Sequence, residues 1–299
     1  MKQQIKSSLI LLLTATIWGV AFVAQSVGME YIGPFTFNAI RCVLGGLVLI
    51  PAILVLKKKK ETGAENQEKE DKKTLWAGGI ACGVILCIAS NLQQFGIMEA
   101  SVGKSGFFTA LYIVMIPVIG IFIGKRPGIK LWFCVALAVV GMYLLCMKDG
   151  SFTIERADIM LLLCALAFSF HILVVDYFSP KVDGVKMSCI QFFVCGVLSA
   201  VGMLFTETPD ISNIQAAWLP LLYAGLLSCG VGYTLQIVGQ KGINPVIASL
   251  IMSLESVISA LAGWVILGQV LSLKEIIGCV LMFVAIIITQ IPIGNKKTD

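Results

Sequence analysis

The sequence predicts an all-α integral membrane protein: ten transmembrane helices arranged as two inverted five-helix repeats, with the N- and C-termini cytoplasmic. Three observations carry that prediction. Hydrophobic residues make up 58% of the 299, charged ones only 13%, and mean hydropathy is +0.94, beyond what the core of a water-soluble domain needs. The apolar residues gather into ten runs, each near the roughly 20 residues that cross a bilayer. The cations crowd onto alternate connections, which sets an orientation.

The first run, about 7–27, follows Lys2 and Lys6. It is long enough to span, and no small-residue cleavage signal stands out before Glu30, so it reads as a helix rather than a signal peptide. The second, 34–56, contains Arg41 and Pro51 and ends on the charged stretch "KKKKETGAENQEKEDKK", residues 57–73, a solvated cytoplasmic linker whose lysines are partly offset by acids. The third, 75–97, carries Gly79 and Gly83, a GxxxG face suited to close helix packing. The fourth, 104–124, holds Pro117, and the fifth, 129–147, follows Lys125, Arg126 and Lys130. The sixth, 156–177, holds His171, the single histidine, and the seventh, 185–205, holds Gln191. The eighth, 215–238, contains Tyr233 and Gln236; the ninth, 245–267, contains Glu255; the tenth is 272–291. With a cytoplasmic N-terminus, 17 of the 22 Lys and Arg fall on inside segments and 4 on outside ones, Arg41 lying within a helix. That bias requires an even number of spans.

The chain matches itself. Shifted by 150 residues, "LLLTATIWGVAF" at 11–22 lies over "LLLCALAFSFHI" at 161–172, and "NAIRCVLGG" at 38–46 over "SCIQFFVCG" at 188–196, so Arg41 meets Gln191. At 143, "LQQFG" at 92–96 meets "LQIVG" at 235–239; at 139, "IPVIG" at 116–120 meets "ESVIS" at 255–259. An ordered series with slowly drifting offsets is the mark of duplication. The expected units are residues 1–148 and 149–299. Five helices per unit is odd, so the second copy enters the membrane inverted, and a site between the halves can open alternately to either side.

At these residues the chain resembles the drug/metabolite transporter superfamily, specifically its EamA-type permeases of ten helices in two five-helix copies. The resemblance covers nearly the whole chain and rests on "WGVAF", "NAIRCVLGG", the proline of "MIPVIG", and "SLESVISALAGWVILGQVLS". The last stretch usually reads Leu-Glu-Pro and ends Gly-Glu in that family; here Ser256 and Gln269 replace the proline and the second glutamate. The resemblance implies secondary transport of small metabolites, often amino acids or related compounds and frequently outward, across a bacterial plasma membrane.

Polar groups at membrane depth should face a cavity or a partner. Arg41, about 10 Å below the outer end of its helix, suits a substrate carboxylate, or else snorkels outward and braces neighbouring carbonyls. Glu255, near the midplane, is a candidate proton carrier or a helix-packing group. His171 titrates in the physiological range when unperturbed, or bonds a neighbouring helix. Trp18 is deep, whereas Trp76, Trp132, Trp218 and Trp264 lie near helix ends. Asn91, Gln93, Gln94, Tyr112, Gln191, Tyr233 and Gln236 complete a polar set suited to neutral or zwitterionic ligands or to interhelical bonding. Pro51 and Pro117 are candidate kinks for gating.

The ten cysteines are scattered singly through apolar runs, so they read as small apolar fillers rather than metal ligands or disulfides. With dispersed carboxylates and short loops, an enzyme of lipid-linked substrates is not expected. No channel-filter motif and no ATP-binding Gly-rich loop is present. The expected partners are a small-molecule substrate, protons as a coupling ion and the lipid bilayer, with no cofactor and no nucleic acid; a monomer suffices.

Overall fold

Residues 2–62, 71–100, 102–124, 127–146, 155–267 and 272–291 are described by a computed structural model of the chain, and every regular element among them is helical. The first three spans are single helices, α1 Lys2–Met29, α2 Pro34–Thr62 and α3 Lys72–Glu99. The fourth is divided into α4 Val102–Ala110 and α5 Tyr112–Phe122. Single helices α6 Ile129–Cys146, α7 Arg156–Phe178 and α8 Gly184–Thr206 follow, then a short α9, Ile211–Ala216. The eighth span runs through α10 Trp218–Leu222, a π-helical segment Tyr223–Tyr233 and α11 Thr234–Gln240. The ninth is divided into α12 Pro245–Met252 and α13 Glu255–Leu267, and α14 Leu273–Gln290 closes the bundle.

Eight stretches are long and apolar enough to cross a membrane, and Ile129–Leu144 is a shorter apolar helix. The α14 helix, with 18 residues, is about 27 Å long at 1.5 Å per residue. Helix starts follow local chemistry. Asp183 accepts from the amides of Val185 and Lys186, Asn244 from Val246, and Ser272 with Glu275 forms a capping box on α14. The α2 helix overruns the expected span to Thr62 because lysines are good helix formers; the rest of the charged linker, residues 63–70, lies outside the described residues.

The helices pack in a pattern that survives exchanging each span with the one five places on. Spans two and seven pack on each other, as do five and ten. Three packs on six as one packs on eight, three on seven as two on eight, and four on six as nine on one. Every one of these pairs joins the two halves, so much of the core lies between them. Gly79 and Gly83 serve the closeness: a Cβ on either would lie 2.5 or 2.6 Å from Ile190 or Val194 of α8. A polar tie also joins the halves, where Glu207 at the end of α8 accepts from the Phe35 and Thr36 amides at the start of α2, at 2.9 and 2.8 Å, and from the Thr36 hydroxyl at 2.6 Å.

Polarity is distributed as lipid demands. Leu54, Val55, Ile88, Leu204 and Phe205 face outward from the bundle, while Gln25, Asn38, Arg41, Asn91, Gln191, Gln236 and Glu255 are buried within it.

Candidate functional site

The fourth and ninth spans are both interrupted near their middle, and the interruptions meet. In the ninth, three serines turn back on their own helix: Ser249 Oγ donates to Val246 O, Ser253 to Leu250 O and Ser259 to Ser256 O, at 2.8–2.9 Å. Such bonds compete with helical amides for the same carbonyls. The backbone at the break tightens to three-residue bonds, from Leu254 N to Ile251 O and from Ser256 N to Ser253 O. In the fourth span the break falls at Leu111, again with three-residue bonds to Phe108 O and from Val114 N.

Each second half-helix opens on a polar residue, Tyr112 for α5 and Glu255 for α13, and Tyr112 Oη donates to Glu255 Oε1 at 3.0 Å. Ser256 Oγ adds a bond to Gly106 O of α4 at 3.2 Å. Both breaks are therefore tied across the two halves. The glutamate sits in the first turn of α13, where the helix dipole favours negative charge. Gly19 lets α1 lie against this point, since a Cβ there would come within 2.7 Å of Glu255 O.

A cavity opens beside the junction, and Tyr112 and Glu255 line it with Trp18, Tyr233, Phe168 and Ile172. Trp18 and Tyr233 form a tilted pair at 4.6 Å, and Tyr233 makes edge contacts with His171 at 6.0 Å and Phe192 at 5.7 Å. Gly232 makes room for the indole: a Cβ there would stand 2.8 Å from Trp18 Nε1. Tyr233 closes the π-helical segment, whose wider turns are a frequent mark of functional sites. Free space in the cavity is about 30 Å³, room for one or two waters and far below the several hundred Å³ of a typical small-molecule pocket. A larger molecule enters only if the lining moves.

Arg41 reaches this cavity from α2. It is 3% exposed, donates from Nη1 to Gln25 Oε1 at 2.7 Å and lies 5.5 Å from the Phe37 ring centroid. Its Nε and the Trp18 Nε1 are buried donors without a partner among the described residues, and Gln236 Oε1 is a buried acceptor without one. All three side chains line the cavity. Buried polar groups are almost always bonded, so a cavity bordered by three orphans is shaped for a polar guest.

Of the residues singled out from sequence, Trp18, Arg41, Gln93, Tyr112, Tyr233, Gln236 and Glu255 are brought together around this space. Asn91, Gln94 and His171 are not among the lining side chains. Asn91 donates to Cys87 O and Ser199 Oγ and accepts from Asn38; Gln94 donates to Met29 Sδ; His171 Nε2 pairs with Gln191 Oε1 at 3.1 Å, one step behind Tyr233. Pro51 and Pro117 sit inside α2 and α5, away from the breaks. Sequence reading missed Gln25, Phe22, Thr109 and Ser228 in the lining. Gln25 had a usable signal, being a lone amide at the end of an apolar run. Cys42 and Cys195 approach each other between the halves, with sulfurs 3.4 Å apart, yet no group of ligating side chains suited to a metal exists among the described residues.

The model of the EamA-like transporter family matches residues 5–147 and again 155–291. An uncharacterized transporter of Archaeoglobus fulgidus is 27% identical over 94% of this chain and 84% of its own length. The uncharacterized transporter YwfM of Bacillus subtilis is 24% identical over 97% of this chain and 96% of its own. A solved crystal structure with 18% identity has the same fold, with a TM-score of 0.77 over 95% of this chain and 96% of that one.

Proposed function

This chain belongs to the EamA-like transporter family of multi-pass membrane proteins, and we propose that it carries small organic metabolites, amino acids or related compounds, outward across a plasma membrane by alternating access between its inverted repeats. The observation that carries the reading is the cavity at the two broken spans, bordered by the Arg41 and Trp18 donors and by the Glu255 carboxylate. Paired broken helices in corresponding places of two repeats are where secondary transporters hold their substrates. Because spans of both halves line the cavity, any rocking of one half on the other changes its shape. A monomer is sufficient in this reading.

Arg41 takes the substrate carboxylate in this reading, with Gln25 holding the guanidinium in place. Glu255 is the candidate coupling residue, with protons as the ion. Comparative metabolite profiling of cells and medium, with and without overexpression, tests the proposal. A compound lost from cells and gained outside names substrate and direction together; proteoliposomes of folded protein that move nothing from an amino-acid and metabolite panel would sink it. Glu255→Gln tests coupling separately, since unchanged pH dependence of transport removes it as the proton site.

A second reading, export of drugs or lipophilic cations, is favoured by the carboxylate beside the aromatic walls of Trp18, Tyr233 and Phe168. Competition between zwitterionic and cationic ligands in a binding assay separates the two.

A further inference from the structure

We infer that Tyr112 holds the place of a ligand's amine at Glu255: an ammonium group entering the cavity displaces the phenol and, in doing so, releases the side-chain tie between the fourth and ninth spans. The inference rests on the transport reading above; it adds which group of the substrate the site demands and which contact that group breaks.

The acceptors come first. Glu255 is 4% exposed and receives one neutral hydrogen bond, from Tyr112 at 3.0 Å. No cation among the described residues pairs with it. A carboxylate has about four lone-pair positions to fill. Gln236 provides a second acceptor by construction: its Nε2 is spent on Gln240 Oε1 at 2.9 Å, and Gln240 is itself fixed by donating to Ile172 O at 3.2 Å. The Gln236 oxygen is thereby left as a buried acceptor without a partner among the described residues, on the same cavity. The donors without a partner among the described residues, Arg41 Nε and Trp18 Nε1, suit an acceptor group of the guest rather than its amine.

The exchange follows from donor chemistry. A phenol offers one neutral O–H, whereas an ammonium offers three donors and a full charge, and charge-assisted bonds are roughly twice as strong. The free space of about 30 Å³ holds one or two waters, so an ammonium that carries even one carbon crowds the phenol out. Tyr112 and Glu255 each open the second half of a broken span, so parting them loosens the junction of the two breaks. The Ser256 Oγ bond to Gly106 O remains as a pivot. Amine recognition and the loosening of the inter-repeat junction are then one event, which is what a carrier needs to move only when loaded.

The test uses the full chain in lipid nanodiscs and follows amide hydrogen exchange in residues 108–114 and 251–258, with methylammonium chloride as the probe and potassium chloride at equal ionic strength as the control. Methylammonium should raise exchange in both segments of the wild type about tenfold, the scale of one lost hydrogen bond to a charged group, and leave Glu255→Gln unmoved. Tyr112→Phe should show the raised exchange without any amine. Wild-type exchange in Tyr112→Phe, an equal response in Glu255→Gln, or no response of the wild type to methylammonium each overturns the inference. None of these readings measures transport, so failure here and failure of the transport proposal are distinguishable.

Discussion

Replacing Glu207 with Ala removes a cap that one half of the protein supplies to the other. Its carboxylate accepts from two amides of the first turn of α2 and from the Thr36 hydroxyl, and Thr36 is 1% exposed, so water cannot easily take the vacated place. An N-cap is worth about 1 kcal/mol, up to 2, and a buried donor left unpaired costs about 1–3 more. Glu207 itself is only half-buried, so we expect a combined loss of about 2–3 kcal/mol, which lowers the melting temperature by roughly 5–10 °C. Gly33→Ala should reproduce much of this without touching the carboxylate chemistry, because its Cβ would come within 2.4 Å of Glu207 Cδ and push the side chain off the helix end. Thermal unfolding of the wild type, both single variants and the double variant in one detergent is the assay. Since both changes act on one contact, the double variant should be within about 0.5 kcal/mol of Glu207→Ala alone. Additive losses, or a Glu207→Ala melting temperature equal to that of the wild type, would refute the cross-half cap.

Arg41→Gln, which installs the identity of its repeat partner Gln191, should weaken binding of a carboxylate ligand by about tenfold or more, the worth of a charge-assisted bond; unchanged affinity with lost expression would leave Arg41 as a brace only. Gly83→Ala places a Cβ 2.7 Å from the Gln191 backbone oxygen, and should cost about 1–3 kcal/mol by overpacking, read as a drop in melting temperature with no change in ligand selectivity. Asp71 is exposed at the start of α3, where the Thr74 hydroxyl and then the Lys73 amide hold its carboxyl below the usual carboxylate range. A depressed folded value means that the cap's contribution is complete above the unfolded value, near 3.9, and is lost as pH falls below it. Hydrogen exchange in the first turn of α3 should therefore rise only below about pH 4, and Asp71→Ala should show that rise already at neutral pH; equal profiles for the two would count against the cap.

Much of the architecture was legible because the bilayer makes composition informative. Ten apolar runs, the GxxxG face of the third span and the deep position of Trp18 all follow from what lipid excludes, and the duplication was readable from paired segments such as "LQQFG" and "LQIVG", whose Gln93 and Gln236 both line the cavity. The division of the fourth and ninth spans was not legible. Hydropathy measures how apolar a residue is, and Leu111 and Leu254 at the breaks are as apolar as the residues around them. What interrupts the ninth span is a set of serine-to-carbonyl bonds, and serines are equally common as harmless small residues at helix contacts.

Which of the α3 amides Asn91, Gln93 and Gln94 meets the cavity was closed to sequence for a related reason. Neighbouring residues on a helix point about 100° apart, so whether an amide meets a cavity or another helix depends on the rotation of that helix against its neighbours. In α3 that rotation turns Gln93 to the cavity and Gln94 to Met29. By itself the sequence determined the solvent, the number of crossings and the kinship of the halves, because those are sums over many residues. Only the tertiary structure decided that Tyr112 meets Glu255 across 143 positions of chain, because a contact between two halves exists only once both have packed.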